Sequence, residues 1–315
     1  MSELNRRSMF ALGAGIAAMG AAGTGVASAG TDHEADLPGF KHNYAQVNGV
    51  RLHYVSGGRG EPLVLLPGWP QTWWEYHKIM PALATKFRVI VVDLRGMGGS
   101  SKPLAGYDKK TMAADVHELV RKLGYSSVNI AGHDIGSQVA FSFAANFPSA
   151  TRKVALMDVL HPDEGYYQIP LLPPPGGFSL WWFAFNQVQT LPEQLLTGRF
   201  RYLLDYLFSN TAANPAAIDE RSRQIYARAY NSPDAIRAGN GWYQSFHQDI
   251  ADGKTYAKLT PPVLGLASMF SYQDMVAALP KVAVDGKAVM VEGSGHWLSE
   301  EQPDAVAREL AQFFG

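Results

Sequence analysis

The sequence predicts an α/β fold in which a mostly parallel sheet is covered by helices on both faces and interrupted by a helical insert. Three observations lead there. Short apolar runs alternate with amphipathic ones, a Gly-x-Asp-x-Gly turn joins one such run to the next, and residues 161–258 carry helical patterns without strand signals.

The chain begins with Asn5-Arg6-Arg7-Ser8-Met9-Phe10, a weakly apolar Ala/Gly-rich run to Ala22, and Ala27-Ser28-Ala29, which has the form of a cleavage site. Residues 1–29 resemble a twin-arginine export signal, and the run is too short and glycine-rich to favour a stable spanning helix. The expectation is cleavage near Ala29, export by the twin-arginine (Tat) machinery, no stable membrane anchor, and a periplasmic or secreted protein.

Residues 30–160 form the first part of the core. Runs 44–47 and 50–55 flank Asn48-Gly49, a strong hairpin signal. Residues 63–66 read as a buried strand entering the tight loop Pro67-Gly68-Trp69-Pro70, and residues 73–84 are patterned as a helix. Residues 88–93 are the next strand. The glycine-rich loop that follows, to Ser100, lacks the Gly-Lys-Ser/Thr ending of a phosphate loop, so Asp93 and Arg95 are expected to satisfy loop backbone. Met112, Val116, Leu119, Val120 and Leu123 repeat at helical spacing, closed by Gly124. Residues 127–131 then read as a strand, residues 138–147 as a helix stopped by Pro148, and residues 153–157 as another strand.

The insert, residues 161–258, holds Pro173-Pro174-Pro175 and aromatics such as Trp181, Trp182, Trp242 and Tyr243, and is placed to act as a cap over the carboxyl ends of the strands. Residues 259–315 return to the core with strands at 262–266 and 288–291 and an amphipathic helix at 303–314.

Composition removes several classes of function. A formal net charge of −1 and a pI near 6.8 give no global positive field for nucleic acid or an anionic membrane. The absence of cysteine removes disulfides, thiolate metal sites and cysteine nucleophiles. No cofactor or metal is expected.

Gly132-His133-Asp134-Ile135-Gly136 is a nucleophile elbow with Asp134 at the tip, where serine usually sits. A carboxylate there can displace a leaving group at saturated carbon and form an alkyl ester, which water must then cleave. Asp134 could instead merely cap the following helix. Chemistry at Asp134 requires a base late in the chain, and His296 follows the last strand in the glycine-rich loop Gly293-Ser294-Gly295. An acid must orient that base. Asp158, directly after the strand at 153–157, is favoured over Asp274, which sits late for the task. The main-chain N–H groups of Trp69 and Ile135 are the expected oxyanion donors.

With these residues in place, residues 44–314 resemble the epoxide hydrolase family of α/β-hydrolases, relatives of haloalkane and fluoroacetate dehalogenases. The resemblance rests on Pro67 through Trp73, Asp93 through Pro103, the elbow, Trp182-Phe183-Ala184-Phe185 with Leu191-Pro192-Glu193, Trp242-Tyr243, and Gly295-His296-Trp297 with Glu300-Glu301. It implies an α/β-hydrolase fold, Asp134 as nucleophile, His296 as base, Asp158 as its partner, and Tyr243 as an acid for the leaving oxygen. Trp69, His133, Ile135, Trp182 and Trp297 are expected to line the site for a small apolar epoxide or halogenated substrate. Three departures stand out. Pro67 replaces the family's usual histidine; Trp182 occupies the place of a second ring-opening acid and cannot transfer a proton; Ile135 and Gln138 stand where dehalogenases carry a halide-binding tryptophan or carboxylate-binding arginines. Dehalogenation by the same Asp134 and a catalytically weak ligand-binding relative remain the alternatives to epoxide hydrolysis.

Overall fold

A computed structural model describes residues 35–173, 175 and 179–315; the export signal read in residues 1–29 lies outside them. The eight-stranded sheet runs in the order β1-β2-β4-β3-β5-β6-β7-β8, comprising β1 (Phe40–Val47), β2 (Val50–Gly57), β3 (Glu61–Leu66), β4 (Phe87–Val92), β5 (Val128–His133), β6 (Thr151–Met157), β7 (Val263–Ala267) and β8 (Gly286–Met290). β2 pairs antiparallel with β1 and with β4, and every other pairing is parallel. The inner strands are buried along most of their length, which matches their unbroken apolar sequence. Leu66 stands opposite Gly132, and His133 opposite Met157. Parallel pairing in this register brings the carboxyl ends of β3, β5 and β6 together.

Two local readings shift. Residues 73–84 form a 3₁₀ turn, Trp73–Tyr76, and a separate short helix α1 (Met80–Leu83) with Pro81 in its first turn. Tertiary bonds compete with a continuous helix there: Trp73 N–H donates to Asp93 at 2.8 Å, and the Glu75 carboxylate accepts from Gly68 N–H at 2.8 Å. The helix after β5, α3 (Ile135–Asn146), starts three residues before the expected Gln138, because Ser137 and Gln138 N–H already bond the Asp134 carbonyl. The turn is thus a single residue.

α2 (Lys109–Lys122) is capped by the Asp108 side chain on Thr111 N–H and closes at Gly124 with φ +87°. Between β6 and β7 run a 3₁₀ turn (Glu164–Gln168) and the helices α4 (Trp181–Phe185), α5 (Leu191–Leu196), α6 (Phe200–Thr211), α7 (Glu220–Ala229), α8 (Pro233–Gln244) and α9 (Phe246–Gly253). Lys109 fastens α2 to this segment. Its ammonium, with no solvent exposure, contacts Asp249 of α9 at 2.7 Å and donates to the Trp242 carbonyl of α8 at 2.6 Å. α10 (Tyr272–Val282), α11 (Leu298–Glu301) and α12 (Pro303–Phe314) complete the chain.

Candidate active site

Asp134 is the whole of the turn between β5 and α3, with φ 50° and ψ −120°, a backbone state that non-glycine residues avoid. Main-chain contact leaves no room for relaxation. A Cβ on Gly136 would lie 2.0 Å from the Leu66 carbonyl oxygen, and one on Gly132 would lie 2.0 Å from that of Gly136. The Asp134 side chain makes no capping bond to α3. Instead Oδ1 accepts from Trp69 N–H at 2.9 Å, and Oδ2 lies 3.7 Å from His296 Nε2. Ile135 N–H, in the first turn of α3, is one of the donors a helix N-terminus leaves without an intrahelical acceptor.

Asp158 leaves β6 at the same end of the sheet and contacts His296 Nδ1 through Oδ2 at 2.6 Å. Its other oxygen accepts from Ser268 N–H at 2.8 Å and from the Ser271 hydroxyl. Burial pushes this carboxyl up, but His296 and the two serines outweigh it and hold the pKa at about 2. Asp158 is therefore a fixed anion. Asp274 sits farther along the cavity wall, and it is Asp158 that contacts the imidazole. Main-chain bonds place His296: its N–H donates to the Thr211 carbonyl at 2.9 Å, and Glu301 accepts from Gly295 and Trp297 N–H.

Behind the elbow lies a buried ion pair. His133 Nδ1 stands 3.1 Å from Glu75 Oε1, and Nε2 donates to the His296 carbonyl at 2.8 Å. Burial pulls the imidazole pKa down, but the Glu75 carboxylate, with Asp134 and Asp158, raises it to about 9. Paired with Glu75, His133 thus favours the imidazolium state, whose Nε2–H makes the hydrogen bond while Nδ1 stands beside the carboxylate as a charge contact. Through Glu75 it also reaches Gly68, so one pair ties the loops after β3, β5 and β8.

A cavity of about 1000 Å³ opens over Asp134. Asp134, Asp158, His296, Trp69, Trp297, Trp182 and Tyr243 all line it. Its wall does not include His133 or Ile135: the first turns behind the elbow toward Glu75, and the second is buried within the core. Tyr243 lies edge-on to Trp69, with ring centres 5.2 Å apart. Burial, and then the Asp134 charge, raise its pKa well above the ordinary phenol value, against an opposing hydrogen bond from Trp182. The Trp182 indole is thus engaged with the phenol that it neighbours.

Three contributors escape a reading of the sequence. Glu75 had a signal, an acid enclosed in Trp73-Trp74-Glu75-Tyr76, where a helix surface would not place three aromatics around a charge. Ser271 and Tyr166 had none, since each depends on where a loop without periodicity comes to rest. The assembled groups supply a carboxylate, an oriented imidazole, backbone donors and an apolar enclosure. Among the described residues no cluster of three or more His, Asp or Glu side chains is arranged to hold a metal ion.

Residues 61–303 match the family model of the alpha/beta hydrolase fold. The soluble epoxide hydrolase of Corynebacterium sp. (strain C12) is 37% identical over 284 residues, covering 87% of this chain and 96% of that protein. A fluoroacetate dehalogenase of Burkholderia sp is 27% identical over 290 residues, covering 87% and 94%. Among solved structures, the ligand-free epoxide hydrolase CorEH superposes with a TM-score of 0.80 at 34% identity, covering 87% of this chain and 98% of that one.

Proposed function

The chain belongs to the α/β-hydrolase fold family, and on that premise we propose that it opens an epoxide to a vicinal diol through an ester on Asp134. The observation that carries this reading is the paired state of the nucleophile: Oδ1 rests on Trp69 N–H while Oδ2 is left toward the cavity and His296.

Oδ2 attacks an epoxide carbon from the side opposite the C–O bond, which breaks with its electron pair on oxygen. Tyr243 protonates that oxygen. As the ester forms, the negative charge that raised the Tyr243 pKa disappears, so the phenol becomes more acidic when the alkoxide needs a proton. His296, oriented by Asp158, then takes a proton from water, and the hydroxide adds to the ester carbon. The oxyanion so formed is Oδ1, already at Trp69 N–H, with Ile135 N–H as the proposed second donor. On collapse the added hydroxide's hydrogen passes to the departing diol oxygen, the Asp134 carboxylate re-forms, and the proton on His296 restores the Tyr243 phenol. None of these steps requires a cofactor, and the largely apolar cavity suits an apolar substrate.

Dehalogenation uses the same attack, and the fluoroacetate dehalogenase relative keeps it in view. Two features weigh toward the epoxide. Trp182, the indole that could hold a halide, is engaged with Tyr243, and Gln138 offers no charge to a substrate carboxylate. Export through the twin-arginine machinery belongs to the same proposal, and retention of an Arg6→Lys/Arg7→Lys variant in the cytoplasm would support it.

The deciding experiment is intact-protein mass spectrometry of His296→Ala soaked with an epoxide panel and a haloalkane panel. An adduct carrying the whole epoxide mass on Asp134 is expected. An alkyl adduct from haloalkanes alone would make the protein a dehalogenase, and no adduct from either would leave a ligand-binding relative.

A further inference from the structure

Tyr243 is the acid that the sequence resemblance implies, and Trp182 cannot be its partner in proton transfer. The cavity wall holds a second phenol. Tyr166 lies in the 3₁₀ turn Glu164–Gln168, which Asp163 caps by accepting from Gly165 N–H at 2.8 Å. Its ring packs against Phe183, at 5.8 Å between centres, and edge-on to Phe246 at 5.1 Å. Tyr243 packs against the same two rings, at 5.3 and 5.2 Å. The two tyrosines therefore belong to one aromatic wall.

The hydroxyl of Tyr166, in the cavity that Asp134 also lines, is bonded by Gln138. That residue lies four positions after Asp134, one turn along α3, and is only 2% exposed. Its Nε2 donates to the Tyr166 oxygen at 3.1 Å. Accepting this bond leaves the Tyr166 proton for a partner in the cavity.

Resting on the epoxide reading, we propose that Tyr166 is a second proton donor to the epoxide oxygen, acting beside Tyr243. The ring C–O bond breaks toward oxygen as the Asp134 Oδ2–carbon bond forms, and that oxygen takes the Tyr166 proton or the Tyr243 proton, leaving a phenolate. Gln138 Nε2 stabilises the phenolate on Tyr166. During ester cleavage water gives one proton to His296, the added hydroxide's hydrogen passes to the departing diol oxygen, and the proton on His296 restores the phenol. Burial, followed by the nearby Asp134 charge, raises the Tyr166 pKa and keeps the resting phenol protonated. Alkylation of Asp134 removes that charge as the proton is needed, as it does for Tyr243.

The test measures the rate of ester formation by intact mass in the His296→Ala background, with a terminal alkyl epoxide and with 3,3,3-trifluoro-1,2-epoxypropane. The trifluoromethyl group makes the leaving alkoxide less basic. Tyr166→Phe should slow adduct formation by about tenfold or more with the alkyl epoxide and by clearly less with the fluorinated one. Gln138→Leu, which keeps the phenol but removes its donor, should show the same substrate dependence with a smaller loss. Equal slowing of both substrates would assign Tyr166 to packing and overturn the proposal, as would an unchanged rate. If the parent with Tyr166 intact forms no adduct, the epoxide reading fails and takes this assignment with it.

Discussion

His133 donates a hydrogen bond from Nε2 to the main-chain carbonyl of His296 at 2.8 Å, so the residue before Asp134 holds the main chain of His296. The elbow and the loop that carries His296 are thereby joined directly. The Glu75 carboxylate beside Nδ1 favours the imidazolium, while Nε2 can keep its proton for this bond in either charge state.

That state should be visible in stability. The folded pKa of His133, about 9, exceeds the ordinary histidine value of about 6.5, so its contribution is complete below about pH 6.5 and is lost as pH rises through about 9. The stability of the protein in urea unfolding should fall across that window, by an amount on the order of a few kcal/mol, and His133→Gln should flatten the fall. Glu300, raised to about 7 mainly by burial, adds a decline between about pH 4.5 and 7 that this variant should retain. An unaltered slope above pH 7 in His133→Gln would refute the paired imidazolium.

Asp158 and Asp274 both border the cavity, but they predict different phenotypes. Asp158→Asn should lower turnover by about 10³–10⁴-fold, with ester accumulating on the otherwise intact enzyme. Asp274→Asn should stay within about twofold of the parent. Steady-state rates with mass spectra of the quenched enzyme separate the two.

The backbone of Asp134 predicts an inversion of the usual glycine effect. At φ 50° and ψ −120° a Cβ is strained, so Asp134→Gly should be more stable than Asp134→Ala by about 1 kcal/mol in urea unfolding, with both inactive. Alanine as the more stable of the two would show that the turn relaxes.

Gly136→Ala should yield little or no soluble folded protein. Its Cβ would meet the Leu66 carbonyl oxygen at 2.0 Å and the carbonyl carbon at 2.5 Å, and neither atom can rotate aside. Soluble yield and a melting curve beside the parent settle this directly.

The sheet and the Asp134, His296 and Asp158 positions were legible because each follows an apolar run that closes with a sharp change of character. A strand end is a local feature. What stayed hidden was set by partners distant in sequence. Lys109, in Asp108-Lys109-Lys110, reads as an exposed basic helix start until Asp249 arrives 140 positions later. His133 and Ile135 were expected beside substrate through their nearness to Asp134, but a one-residue turn sends adjacent side chains in different directions. Tyr166 required the path of a loop whose sequence has no period.

The sealed contact between Lys109 and Asp249 resists any parting of α2 and α9. Raising α9 from α2 would pull apart opposite charges that have no water to receive them, so the junction of these two helices works as a closed seam. The cavity lining reaches solvent where Phe270 is 72% exposed and the Glu164–Lys254 pair is exposed. An entrance on one side admits a substrate head first. The leading group of a ligand can then reach Asp134 while the trailing end stays at the threshold, which sets a limit on girth at the inner end and a far looser one on length.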